Sequence, residues 1–141
     1  MRKAEVLSIL FGVVLLAVAV IAEAQQPTKI PRIGYLNTAS LSSVAARVEA
    51  FRQGLRELGY VENKTIVIEW RSGEGNRERV PALAAELVRL KVEVIVTGGP
   101  GSTRPAMEAT KTLPIVMAQA DDPVGEGFVA SLARPGGNVT G

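Results

Sequence analysis

The stretch QADDPVGEG, Gln119–Gly127, places two aspartates side by side after an apolar run. Paired carboxylates can pass protons, hold a metal or grip a cationic group. Neighbouring residues of extended chain point to opposite sides, so Asp121 and Asp122 do not converge on one atom. That disfavours a catalytic or metal dyad. Asp122–Pro123 has the form of a helix start, Asp being a preferred N-cap and Pro a preferred first helical residue. Capping leaves Asp122 free to serve also as the contact for a ligand's ammonium group. A second stretch, TGGPGST, Thr97–Thr103, could receive an anion, because backbone N–H groups in glycine turns and at helix starts favour negative charge. It lacks the Lys of a phosphate loop, and no dinucleotide-type glycine fingerprint follows the first strand. Two readings remain, a tight strand-to-helix turn and a backbone cradle for a ligand carboxylate at Gly98–Gly99. The cradle is preferred, with Ser102 beside it. The third stretch, NTASLSS, Asn37–Ser43, offers an amide and several hydroxyls. Most of these suit capping and loop roles; Asn37, Thr38 and Ser40 are the ones placed to hydrogen-bond a ligand.

Other chemistry is excluded by what is missing. The 141 residues include no Cys and no His, with 16 Lys+Arg against 14 Asp+Glu. Most zinc, haem and thiol sites are thereby removed, as are Ser–His and Cys–His nucleophile pairs. No metal or cofactor is expected. The near-balanced charge and scarce aromatics give no base-stacking or phosphate-tracking surface, so nucleic acid is not an expected partner. Asn138–Thr140, NVT, matches a glycosylation acceptor, but a three-residue match at the start of a strand is read as chance. Arg71, Arg77 and Arg79 with Glu74 and Glu78 read as a solvated mixed-charge loop, and Trp70 as a packing residue at a strand end.

These loops need elements to position them. Strands are predicted at Arg32–Leu36, Thr65–Trp70, Val92–Val96 and Pro114–Ala120, with a fifth beginning at Val139. Between them, Val44, Val48, Phe51, Leu55 and Leu58 make one helical stripe, with Ser42 or Ser43 to cap it and Gly59 to close it. Val80, Leu83, Leu87 and Leu90 make another, with Pro81 tolerated in the first turn. A short helix is predicted through Met107 to Lys111, and a further one carrying Val124, Phe128 and Leu132. The alternation is β-α-β-α-β-α-β-α-β. It predicts an α/β fold with a doubly wound parallel sheet, covered on both faces and joined by right-handed crossovers. Ligands of such sheets sit outside the carboxyl ends of the strands, which selects the loops Asn37–Ser43, Thr97–Thr103 and Asp121–Gly125.

The N-terminus predicts export. MRKAE is a short positive segment, Val6–Ala22 a near-unbroken apolar run, and AEA, Ala22–Ala24, a small-x-small cleavage site before Gln25. The apolar run is short for a spanning helix, which wants about 20 residues. A cleaved signal peptide over 1–24 is therefore preferred to a permanent anchor, followed by a polar leader at 25–31 and the α/β unit at 32–141. Membrane contact is expected only through that signal helix.

The segments PRIGYL, FRQGLRELGY, LAAELVRLKVEVIV and DPVGEGFVASLARPGGNVTG together resemble the ABC-transporter substrate-binding proteins of the tryptophan/tyrosine type. The resemblance runs from Pro31 to Gly141. It implies a periplasmic-binding-protein-like fold, whose two lobes close on a small ligand and present it to an ABC permease in the inner membrane. It also implies a periplasmic location. The chain would be the first lobe of such a protein, a fragment or truncated product, because the family's second lobe would follow Gly141. By position, the family's ligand-facing loops fall on Asn37–Ser43, Thr97–Ser102 and Ala120–Asp122. Asp121 and the PGSTR that follows Gly99 depart from the family's pattern. The reading reached is an exported solute-binding component that takes an amino-acid-like ligand. Its alternatives are an α/β enzyme using the same strand-end cleft, or a truncated lobe without function.

Overall fold

The computed structural model describes residues 2–3 and 29–141. The expected signal segment and its cleavage site at Ala24–Gln25 lie outside the described residues. Five strands, β1 (Arg32–Asn37), β2 (Val67–Ser72), β3 (Val94–Thr97), β4 (Ile115–Met117) and β5 (Val139–Thr140), form one parallel sheet in the order β2-β1-β3-β4-β5. Three α-helices connect them: α1 (Ala45–Glu57), α2 (Val80–Arg89) and α3 (Pro100–Ala109). A 3-10 turn, Arg77–Arg79, leads into α2 and starts from Asn76, whose side chain accepts from the Glu78 N–H.

Because side chains alternate along each strand, the sheet feeds two cores. On one face Ile33, Tyr35, Ile68 and Val96 pack with Phe51 and Leu55 of α1. On the other, Leu36, Ile95, Ile115 and Met117 pack with Val80, Ala84 and Leu87 of α2 and Ala106 of α3. Helices on both faces satisfy the apolar strands, and among the described residues no helix is long and apolar enough to cross a membrane.

The predicted stripe of α2 is realised, with Val80 and Leu87 fully buried. The stop of α1 is realised too. Gly59 adopts φ +88°, its N–H donates to Arg56 O, and the Tyr60 N–H donates to Leu55 O (both 2.9 Å). This pair of bonds satisfies the last carbonyls of the helix.

Several boundaries differ from expectation. Neither Ser42 nor Ser43 caps α1; Val44 stands there without a side-chain cap, and Ser40 instead starts the preceding turn by accepting from the Ser43 N–H (3.2 Å). Strand β2 begins at Val67, since Val61–Ile66 close a turn in which Thr65 Oγ1 accepts from the Val61 N–H (2.8 Å). Helix α3 begins at Pro100, inside the predicted glycine loop, because Pro serves at a first helical position after Gly99. No helix carries Val124, Phe128 and Leu132. Pro123–Gly127 form turns that end at Gly127 (φ +72°); Phe128 and Val129 are buried, while Val124 and Leu132 stay exposed. Arg71 belongs to β2 rather than to a solvated loop, and its guanidinium pairs with Glu86 (3.0 Å) and Glu69 (3.4 Å). Asn138 holds the start of β5 by donating its Nδ2 to Leu113 O (2.7 Å) and Thr110 O (3.3 Å).

Candidate functional site

From β1 the chain winds to β2 on one side and to β3, β4 and β5 on the other. The loops leaving β1 and β3 therefore part in opposite directions, and a crevice opens between them at the strands' carboxyl ends. Asn37 ends β1 and Gly98 follows β3. The two are in close contact, for a Cβ on Gly98 would stand 2.9 Å from Asn37 Cγ and Nδ2. Only glycine lets the β3 loop run this near the asparagine, whose side chain is itself buried. The Gly98 N–H donates to Leu36 O (3.0 Å), which ties the two strand ends together.

Beside this contact lies an open cavity of about 420 Å³, lined by Tyr35, Arg47, Ala50, Phe51, Gly98, Ala118 and Gln119. Its apolar wall is organised by an aromatic group. The Tyr35 ring is 5.2 Å from Phe51 and 5.0 Å from Trp70. Trp70 is fixed in turn by Glu62, which accepts from its Nε1 (2.7 Å) and from Arg52 Nε (2.8 Å), with the Arg52 guanidinium 4.6 Å from the indole centroid. Burial opposes ionisation of Glu62, but the hydrogen bonds from Trp70 and Arg52 and the Arg52 charge outweigh it and hold the carboxyl below its ordinary value. Burial pushes the Tyr35 phenol up, and the positive charge of Arg47 partly opposes that rise. Arg47 itself makes no ion pair among the described residues. Gln119 Oε1 is shielded from solvent and has no hydrogen-bond partner among the described residues. A buried acceptor left this way costs about 1–3 kcal/mol until a donor reaches it. One cavity thus combines an aromatic wall, a guanidinium and a glutamine whose shielded Oε1 has no partner among the described residues.

The residues singled out from sequence separate into three groups. Gly98 lines the cavity, with Asn37 packed behind it and Gly99 at the N-terminus of α3 (φ 154°). Thr38 lies next to these, its Oγ1 buried without a partner among the described residues, 2.8 Å from where a Cβ on Gly101 would sit. A second group spends its hydroxyls inside the lobe. Thr97 Oγ1 meets Thr103 Oγ1 (2.8 Å), Thr103 also donates to Gly99 O (3.0 Å), and Ser102 Oγ donates to Gly99 O (2.9 Å); all three residues are fully buried. The third group lies in exposed turns. Ser40 starts the turn before α1, and Asp122 Oδ1 accepts from the Gly125 N–H (2.8 Å). Asp122 therefore caps a single turn in place of the expected helix, and Asp121 beside it is exposed.

Sequence reasoning passed over Tyr35, Arg47, Ala50, Phe51, Ala118 and Gln119 as site residues. One signal pointed to Arg47: it precedes Phe51 by four residues, which stacks a cation one turn from the apolar stripe.

The family model described as ABC transporter substrate binding protein matches residues 32–141. The chain belongs to this family. It is 33% identical over 93 residues to a tyrosine-binding protein of Clostridioides difficile, an alignment covering 66% of this chain and 27% of that protein. Among solved structures it is similar to an ABC domain from Streptococcus pneumonia in complex with L-Trp, with TM-score 0.74 and 32% identity over 79% of this chain and 37% of that one. A ligand-free, open substrate-binding protein with adhesive properties from Clostridium difficile gives TM-score 0.73 and 25% identity over 78% and 37% of the two chains. The family member described here thus spans little more than a third of the length of these structures and about a quarter of the curated relative's.

Proposed function

We propose that this chain supplies the first lobe of an exported solute-binding protein for an ABC importer, and that its ligand is a small amino-acid-like solute. The observation that carries the reading is the cavity at the β1/β3 crevice, which has an aromatic wall and polar groups at the position where parallel α/β sheets take ligands. Membership of the family supports it, and so do relatives described as binding tyrosine and in complex with L-Trp. The ligand would rest on Tyr35, Phe51 and Gly98, with Asn37, Thr38, Gly99 and Asp122 in the surrounding loops, and would be released unchanged to a membrane permease. Residues 1–24 would direct export to the periplasm, with the polar leader at 25–31 and the lobe from residue 32, where the family match also begins.

The test is a titration of the isotopically labelled chain with L-tyrosine and L-tryptophan, followed by amide NMR. A single lobe leaves part of a cleft open, so millimolar affinity is expected, about −4 kcal/mol of binding free energy. Saturable shifts should cluster at Gly98, Ala118 and Gln119. Shifts that never saturate, or that scatter over the surface, would defeat the proposal.

A further inference from the structure

Two polar side chains of the cavity, Arg47 and Gln119, are not alike, and their difference carries a statement about ligand recognition that rests on the reading above. Arg47 brings a permanent positive charge that no described carboxylate neutralises, and it reaches the cavity from α1 beside Phe51. Gln119 lines the same cavity from the loop after β4; its Oε1 is shielded from solvent and unpaired among the described residues, and a rotation of the side chain presents it to a ligand. The backbone offers less than the glycine stretch suggests, because the Gly98 N–H is already taken by Leu36 O. Asp122 is not among the cavity's lining residues and holds the Gly125 N–H.

We propose that Arg47 and Gln119 are the specificity-determining pair of this lobe: Arg47 receives the carboxylate of an α-amino acid, and Gln119 Oε1 accepts from its ammonium group. A guanidinium matches a carboxylate's two oxygens with paired donors. An ammonium supplies the donor that the glutamine lacks, and it does so without bringing two full charges into contact. The side chain of the amino acid is then left against Tyr35 and Phe51. The arrangement selects a zwitterion by demanding both ends at once, since an amine alone meets an unopposed cation and an acid alone leaves the acceptor unmet.

The experiment uses three probes with one ring system: L-tryptophan, tryptamine (no carboxylate) and indole-3-propionate (no ammonium). Binding to the 141-residue chain is read by amide NMR titration for the wild type and for Arg47→Met, Gln119→Leu and Gln119→Glu. Arg47→Met should weaken L-tryptophan and indole-3-propionate about fivefold, an effect that shrinks in 1 M salt because Arg47 is solvent-exposed, and it should not weaken tryptamine. Gln119→Leu should weaken L-tryptophan and tryptamine and spare indole-3-propionate. Gln119→Glu should tighten tryptamine, which guards against a loss that merely reports misfolding. If the variants leave all three affinities unchanged, or lower all three equally while the wild type still binds, the pair is not the specificity device and the solute-binding reading stands. If the wild type binds none of the probes, both fall.

Discussion

The buried hydroxyl pair at the end of β3 gives a quantitative test of how this loop is built. Thr103 Oγ1 lies 3.0 Å from Gly99 O, an acceptor only, so its proton goes there. Thr97 must then donate to Thr103 across the 2.8 Å contact. The two positions are consequently unequal. Thr97→Val removes one donor, yet Thr103 keeps its bond to Gly99; the cost should be about 1 kcal/mol. Thr103→Val strands the Thr97 hydroxyl in a place with no solvent contact, and the cost should be about 2 kcal/mol. Replacing both leaves no orphan, so the double variant should be no less stable than Thr103→Val alone. The cycle should then show a favourable coupling of about 1 kcal/mol. The assay is urea unfolding followed by the fluorescence of Trp70, the one tryptophan in the chain, with a thermal midpoint shift of about 4 °C per kcal/mol expected at this size. Strictly additive costs, or a double variant weaker than both singles, would refute the reasoning. Ligand affinity should be unchanged in the folded variants, because neither hydroxyl lines the cavity.

Three further outcomes follow from the geometry. Gly59→Ala places a Cβ on a residue at φ +88° and should cost about 1 kcal/mol of stability, read in the urea midpoint, with ligand affinity unchanged. Gly125→Ala would put its Cβ in collision with Asp122 Oδ2 and expel the carboxylate from its turn; about 1 kcal/mol is expected, and Asp122→Ala should cost a similar amount and abolish any further effect of Gly125→Ala. Glu62 has its carboxyl held low in the folded state, so the stability it contributes is complete above the unfolded value near 4.5 and is lost as pH falls through the folded one. Glu62→Gln should therefore flatten the decline of the unfolding free energy below pH 4.5, and an unchanged acid limb would remove Glu62 from that role.

The elements that repeat locally were readable. A period of about 3.6 in Val80, Leu83 and Leu87 identifies α2, and a glycine after the last stripe residue identifies the end of α1, because both depend on neighbours within one or two turns. The false helix over Val124, Phe128 and Leu132 shows the limit of that logic. The spacing is helical, but Gly125 and Gly127 weaken the segment and the sheet buries Phe128 and Val129 instead. The site behaved similarly. Polar loop residues at strand ends could be named, whereas the fate of each side chain could not. Thr97 and Ser102 look like ligand hydroxyls in a string of letters and are core hydroxyls in the fold.

The sequence alone therefore determined the alternating α/β order as far as β4 and the three loops at the strands' carboxyl ends, since each follows from short-range pattern, and its resemblance to known proteins pointed to the family; the fourth helix that strict alternation required does not form. Tertiary structure alone decided that Tyr35 of β1, Arg47 and Phe51 of α1 and Gln119 after β4 line one cavity, and that Gln119 Oε1 is left without a partner among the described residues. Those facts depend on the order β2-β1-β3-β4-β5 and on how α1 lies across it. Such placements are set by contacts between residues far apart in the chain, which no local period encodes.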